Sequence, residues 1–92
     1  MRLSPREGRL LRLSPGDVLR VDEVSALVIR RIVVRRGSSP RVVMYHCRTK
    51  AGEATLTVSF RPDPGGGESD WLLRWNVDGR TRDVHEDEVE TY

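Results

Sequence analysis

Between Ala54 and Phe60 the chain alternates without exception. Leu56, Val58 and Phe60 fall on one side, and Thr55, Thr57 and Ser59 on the other. A period of two suits a strand with one buried face and no other regular structure. The same period returns at 71–77, where Trp71, Leu73, Trp75 and Val77 alternate with Leu72, Arg74 and Asn76. Both runs are bounded by turn chemistry: Lys50-Ala51-Gly52-Glu53 before the first and Asp78-Gly79 after the second. Asp-Gly between alternating segments is a strong hairpin signal. The segment between them, 61–69, holds two prolines and three consecutive glycines and reads as a loop.

The stretch from Ser14 to Gly37 admits two readings. As a helix it would have Ser14 as cap, Asp17 near its positive end, arginines near its negative end and Gly37 as its stop. Its side chains argue otherwise, because Val28, Ile29, Ile32, Val33 and Val34 are β-branched and crowd together. Two strands are therefore expected, over about 17–22 and 26–36, with a turn at Asp22-Glu23-Val24-Ser25. Further strands are expected over 41–49 and 80–84. The final residues, 85–92, are expected to make one helical or 3-10 turn before Val89 and Tyr92 add an edge contact. The fold class is all-β: five or six short antiparallel strands in a small sheet, closed so that no long edge remains exposed.

With 92 residues the chain is expected to be one domain. Residues 1–13 form a basic arm and 14–92 the barrel. The motif Ser-Pro followed by an acid occurs twice, at Ser4 to Glu7 and Ser14 to Asp17, in the spacing of a capping box. A short helix from about Pro5 to Leu11 follows from the first copy. Leu10, Leu11 and Leu13 on that arm call for an apolar surface, either the chain's own barrel or a partner.

Two ends of the chain carry a resemblance. Ser14–Val21, "SPGDVLRV", looks like the first strand of an SH3-like small barrel such as KOW or Tudor-like domains. Leu72–Glu90, "LLRWNVDGRTRDVHEDEVE", is similar to the closing hairpin of Tudor-like barrels: an apolar strand, an Asp-Gly turn, a short strand and an acidic turn. The resemblance covers about a third of the chain and implies a binding module rather than an enzyme. KOW-like kinship implies nucleic acid as the ligand. Tudor-like kinship implies a cage of aromatic side chains, for which the chain has five candidates: Tyr45, Phe60, Trp71, Trp75 and Tyr92.

Charge is distributed unevenly. Residues 1–50 hold 12 basic and 4 acidic side chains, and residues 51–92 hold 4 basic and 10 acidic ones. Such asymmetry accompanies a nucleic-acid face or two halves that attract each other. For the first, Arg30, Arg35, Arg41 and Arg48 with Arg9 and Arg12 of the arm are the expected contacts, since guanidinium matches phosphate geometry. For the second, these arginines pair with the acidic half. A further alternative is a protein–protein adaptor, small subunit or homo-oligomer that uses Trp71, Trp75 and the acidic segment Glu86, Asp87 and Glu88.

No catalytic set is expected. Cys47 and His46 are adjacent and point to opposite faces of a strand, while His85 belongs to no motif with Cys47. The single cysteine permits no intrachain disulfide, and the chain lacks paired ligand spacing for zinc, a calcium loop or a phosphate-cradling loop. No cofactor or metal is expected, and no membrane span or signal sequence is apparent. A cytoplasmic protein is the corresponding expectation.

Overall fold

The computed structural model describes residues 9–36, 39–61 and 70–92, with side chains for all of these except 36, 39–41, 60, 61, 70 and 71. Seven strands follow in order: β1 Val18–Val21, β2 Val24–Arg36, β3 Ser39–Thr49, β4 Gly52–Arg61, β5 Asp70–Val77, β6 Arg80–Val84 and β7 Glu90–Thr91. A 3-10 turn at Glu86–Glu88 precedes β7. The strands form one antiparallel sheet in the order β6-β5-β4-β3-β2-β1-β7, curled into a half-barrel. This is compatible with a small β-barrel. The expected count of five or six strands becomes seven because Glu90 and Thr91 pair with Arg20 and Leu19.

Both expected hairpin turns between short strands form at two residues. Asp22 and Glu23 have φ of 52° and 65°, and Asp78 and Gly79 have 52° and 75°. Paired positive φ values mark the turn whose twist matches that of antiparallel strands. The β-branched reading of 17–36 is therefore the one realised, with its turn one residue pair tighter than Asp22–Ser25. Glu23 pays a steric cost in this geometry, since its Cβ crowds the following carbonyl. Glu23→Gly is expected to stabilise the fold by about 0.5–1 kcal/mol. A thermal melt with unchanged or lowered midpoint would refute this account of the turn.

The second Ser-Pro copy closes a turn instead of opening a helix. Ser14 N–H donates to the Asp17 carboxylate (2.8 Å) and Asp17 N–H to the Ser14 carbonyl (3.0 Å). Gly16, at φ 100°, then lets its N–H reach the Val28 carbonyl at 2.8 Å. That bond and the return bond from Val28 N–H to the Asp17 carbonyl (2.8 Å) lead the chain into the sheet. Of the helix expected from Pro5 to Leu11, residues up to 8 lie outside the described residues. The remainder makes a single turn, Arg12 N–H to Arg9 carbonyl at 3.1 Å.

One face of the sheet holds the core. Leu19 and Val21 of β1, Ala26 and Val28 of β2, and Val43, Tyr45 and Cys47 of β3 are buried. So are Ala54, Leu56 and Val58 of β4, Leu73 and Trp75 of β5, Val84 of β6 and Val89. Leu10 and Leu13 lie in the same cluster, 3% and 4% exposed. The arm is held there by two side chains from the central strands. The Tyr45 hydroxyl donates to the Leu10 carbonyl, and Arg31 Nη2 donates to the Leu11 carbonyl at 2.9 Å.

Among the described residues, backbone pairing does not complete closure of the sheet. Among the described residues β6 and β7 are the two ends of the strand order and do not pair. The 3-10 turn occupies the chain between them, and a side chain bridges the gap. Arg82 of β6 holds both oxygens of Asp22, in the β1–β2 turn, at 2.6 and 2.7 Å. Its other terminal nitrogen reaches Glu88 of the 3-10 turn at 3.4 Å. The hydrogen bonds to Asp22 raise the Arg82 pKa above its ordinary value.

Candidate nucleic-acid interface

The register of β2 and β3 determines where each arginine points. Val28 faces Cys47, but Arg30 faces His46, so Ile29 is an extra residue in β2. This bulge resets the alternation. Arg30 comes out on the convex face with His46, and Arg31 follows Tyr45 onto the concave face, where it holds the arm. Arg48 faces Leu27 and shares the convex side with His46. Arg35 faces Pro40 beyond a second register shift, between Val34 and Arg35, at the far end of β2 from Arg48. The side chain of Arg41 lies outside the described residues. The structure thus brings together Arg30 and Arg48 of the expected set. Arg9 faces β7, where Nη1 reaches the Thr91 hydroxyl at 3.4 Å, and Arg12 is exposed on the arm.

The pairing of basic and acidic halves is of a different kind from that expected. The acidic half pairs with its own arginines. Arg74 meets Asp83 directly across β5–β6 at 3.3 Å, and Arg82 meets Glu88. The Arg82–Asp22 ion pair crosses between the halves. Arg30, Arg35 and Arg48 form no ion pair with a described residue. Glu53 stands opposite Arg48 on β4 without pairing to it. Residues 24–52, which span β2 and β3, contain six arginines and Lys50 and no aspartate or glutamate. The sequence signal for this was the acid-free run itself, which division into halves at residue 50 obscures.

Apolar side chains share the convex face. Leu27 is 41% exposed, Ile29 45% and Val34 51%. Ile32 faces Met44, and Val34 faces Val42, so the aliphatic strip runs along β2 and β3 beside Arg30.

The expected partner residues at the C-terminal end are placed differently. Trp75 is 2% exposed and lies between Leu56 and Arg82 in the core. Its indole N–H is buried without an acceptor among the described residues. The side chain of Trp71 is outside the described residues. Glu88 caps the 3-10 turn: its carboxylate accepts from His85 N–H at 2.6 Å, while His85 Nδ1 accepts from Asp87 N–H at 3.2 Å. Asp87 also lies 3.3 Å from His85 Nδ1, and Glu86 accepts from Val89 N–H through its carbonyl at 3.2 Å. This acidic segment therefore builds the link between β6 and β7. Of the five aromatics, Tyr45 and Trp75 are buried and Tyr92 is exposed at the end of the chain.

Cys47 is 3% exposed, and burial pushes its thiol up from 9.0 to about 11. A thiol held neutral at pH 7 is a poor nucleophile. Native Cys47 is expected to react with iodoacetamide at least a hundredfold more slowly than after denaturation, about the factor set by two pH units of lost thiolate. Equal native and denatured rates would contradict the buried placement. Among the described residues no cluster of His, Cys, Asp or Glu could hold a metal ion, and no helix is long and apolar enough to cross a membrane.

Comparison with known protein families, with characterised proteins and with solved structures finds no match to this chain.

Proposed function

We propose that this chain is a non-catalytic binding module of SH3-like or Tudor-like architecture that contacts nucleic acid across the convex side of β2 and β3. The observation that carries this reading is the acid-free hairpin with Arg30 and Arg48 on one face and no ion pair between them and the described acids. Unpaired guanidinium groups on a strand surface form charge-assisted hydrogen bonds with phosphate and release counterions on binding. The β5–β6 hairpin with its acidic 3-10 turn supports the architectural part. The buried, neutral Cys47 supports a role without covalent chemistry.

Fluorescence anisotropy with labelled oligonucleotides tests the reading. Affinity is expected to fall steeply as salt rises from about 50 to 200 mM. Arg30→Glu with Arg48→Glu is expected to weaken binding more than tenfold at low salt and to flatten the salt slope by about one to two. Absence of binding at low salt would remove nucleic acid as the ligand.

A second reading rests on the exposed Leu27, Ile29 and Val34. A sheet face of this kind suits an acidic protein partner with an apolar centre, or a larger assembly in which this chain is a small subunit. Light scattering distinguishes it: a self-associated or co-purifying species favours this reading, and a monodisperse monomer counts against it.

A further inference from the structure

At the base of the β2–β3 hairpin the convex face holds an open depression of about 340 Å³. Val18 and Leu27 line it together with Ser25, Arg48, Thr49 and Lys50. Val18, Leu27 and Arg48 are consecutive in one cross-strand row, with Leu27 paired to both of the others. The two cations form no ion pair with a described residue. Leu27 is 41% exposed there.

We infer that this depression is a nucleotide subsite, and that the nucleic acid it takes is single-stranded. The inference rests on the nucleic-acid reading above and narrows it. A phosphate backbone alone requires only cations. Aliphatic side chains beside two cations add an apolar surface, which can meet the face of a base. In a duplex both faces of each base are stacked against neighbours and unable to lie on an outer strand. In a single strand a splayed base can cover Val18 and Leu27 while the Arg48 guanidinium stacks beside it. Lys50, in the β3–β4 turn, then meets the adjoining phosphate. Glu53 stands across Arg48 on the β4 side and keeps the phosphate on the Lys50 side. The second copy of this chain is disfavoured as an occupant because the matching face would bring Arg30, Arg48 and Lys50 against themselves.

The test uses the full chain and two labelled probes with equal numbers of phosphates: an unstructured 12-nucleotide strand and a self-complementary 12-nucleotide hairpin. The single strand is expected to bind about tenfold more tightly than the hairpin at low salt. Leu27→Ser, which alters no charge, is expected to weaken single-strand binding about fivefold and to leave hairpin affinity unchanged. Lys50→Gln, in an exposed turn, provides an independent variant and is expected to weaken the single strand at least twofold. Thermal melts confirm that both variants fold. Equal affinity for the two probes, with neither changed by Leu27→Ser, would overturn the subsite and leave nucleic-acid binding through the arginines standing. Failure of both probes to bind at low salt would overturn the nucleic-acid reading and the subsite with it. Binding of poly-glutamate under the same conditions would then identify an acidic protein surface as the ligand.

Discussion

Trp75→Ala is expected to cost about 3–5 kcal/mol and to leave much of the protein unfolded at physiological temperature. A domain of this size has a total stability on the order of 5–14 kcal/mol, so one such loss removes a large share. The magnitude follows from placement. Trp75 is the largest side chain among those essentially removed from solvent, and it faces Leu56 on β4 and Arg82 on β6. Its removal opens a cavity where three strands meet and loosens the position of the strand that carries the Arg82 bridge. Trp75→Phe removes the N–H with a much smaller loss of volume. The indole N–H already lacks an acceptor among the described residues, so its deletion removes a buried unsatisfied donor. Phenylalanine is therefore expected to cost no more than about 1.5 kcal/mol. Chemical denaturation measures both. A small loss for Trp75→Ala would contradict burial, and a Trp75→Phe loss as large as that of Trp75→Ala would contradict the dominance of lost volume.

The second large effect concerns the arm. Leu10→Ala and Leu13→Ala are each expected to destabilise by about 2–5 kcal/mol, as core leucines do. The segment is bound to the sheet by more than apolar contact. Tyr45→Phe leaves the Leu10 carbonyl without its donor, at about 1–3 kcal/mol. Arg31→Ala releases the Leu11 carbonyl at a more exposed position and is expected to have a smaller effect than Tyr45→Phe. If both leucine variants unfolded at the same denaturant concentration as the parent, the arm would not belong to the core.

The same burial predicts alkaline sensitivity. Cys47 is neutral in both states below about pH 8 and contributes no pH dependence there. In the unfolded chain it loses its proton near 9.0, whereas the folded thiol keeps it to about 11. Stability therefore falls as pH rises through that window, by on the order of 2 kcal/mol. Burial also raises the Tyr45 pKa, and its ionisation acts in the same direction at higher pH. Cys47→Ala is expected to flatten the decline between pH 9 and 11; an unchanged slope would assign it to other groups.

Much of the strand pattern could be read from local chemistry. Asp78-Gly79 forms the expected hairpin turn, and Leu56, Val58, Leu73 and Trp75 all take the apolar face that alternation assigns. The run of β-branched residues at 28–34 correctly favoured strand over helix. What alternation could not supply was the bulge at Ile29, because an inserted residue leaves no compositional mark. That bulge decides that Arg30 is on the convex face and Arg31 on the concave one. The role of Arg82 was hidden for a different reason. Its acceptor Asp22 is 60 residues away, and no local signal links them. The expected closure is realised as a curled half-barrel among the described residues, and this too is non-local, since the 3-10 turn carries the chain past β6 before β7 reaches β1.

The two arginines on the convex face turn a charge count into a location. Its most direct measurement is an amide nitrogen–proton NMR titration of the full chain with a single-stranded oligonucleotide at low salt. The predicted shifts cluster on Leu27, Arg30, Ile32, Met44, His46, Arg48 and Lys50, and they diminish as salt is added. Shifts centred on Glu86–Tyr92, or no shifts at any residue, would contradict it.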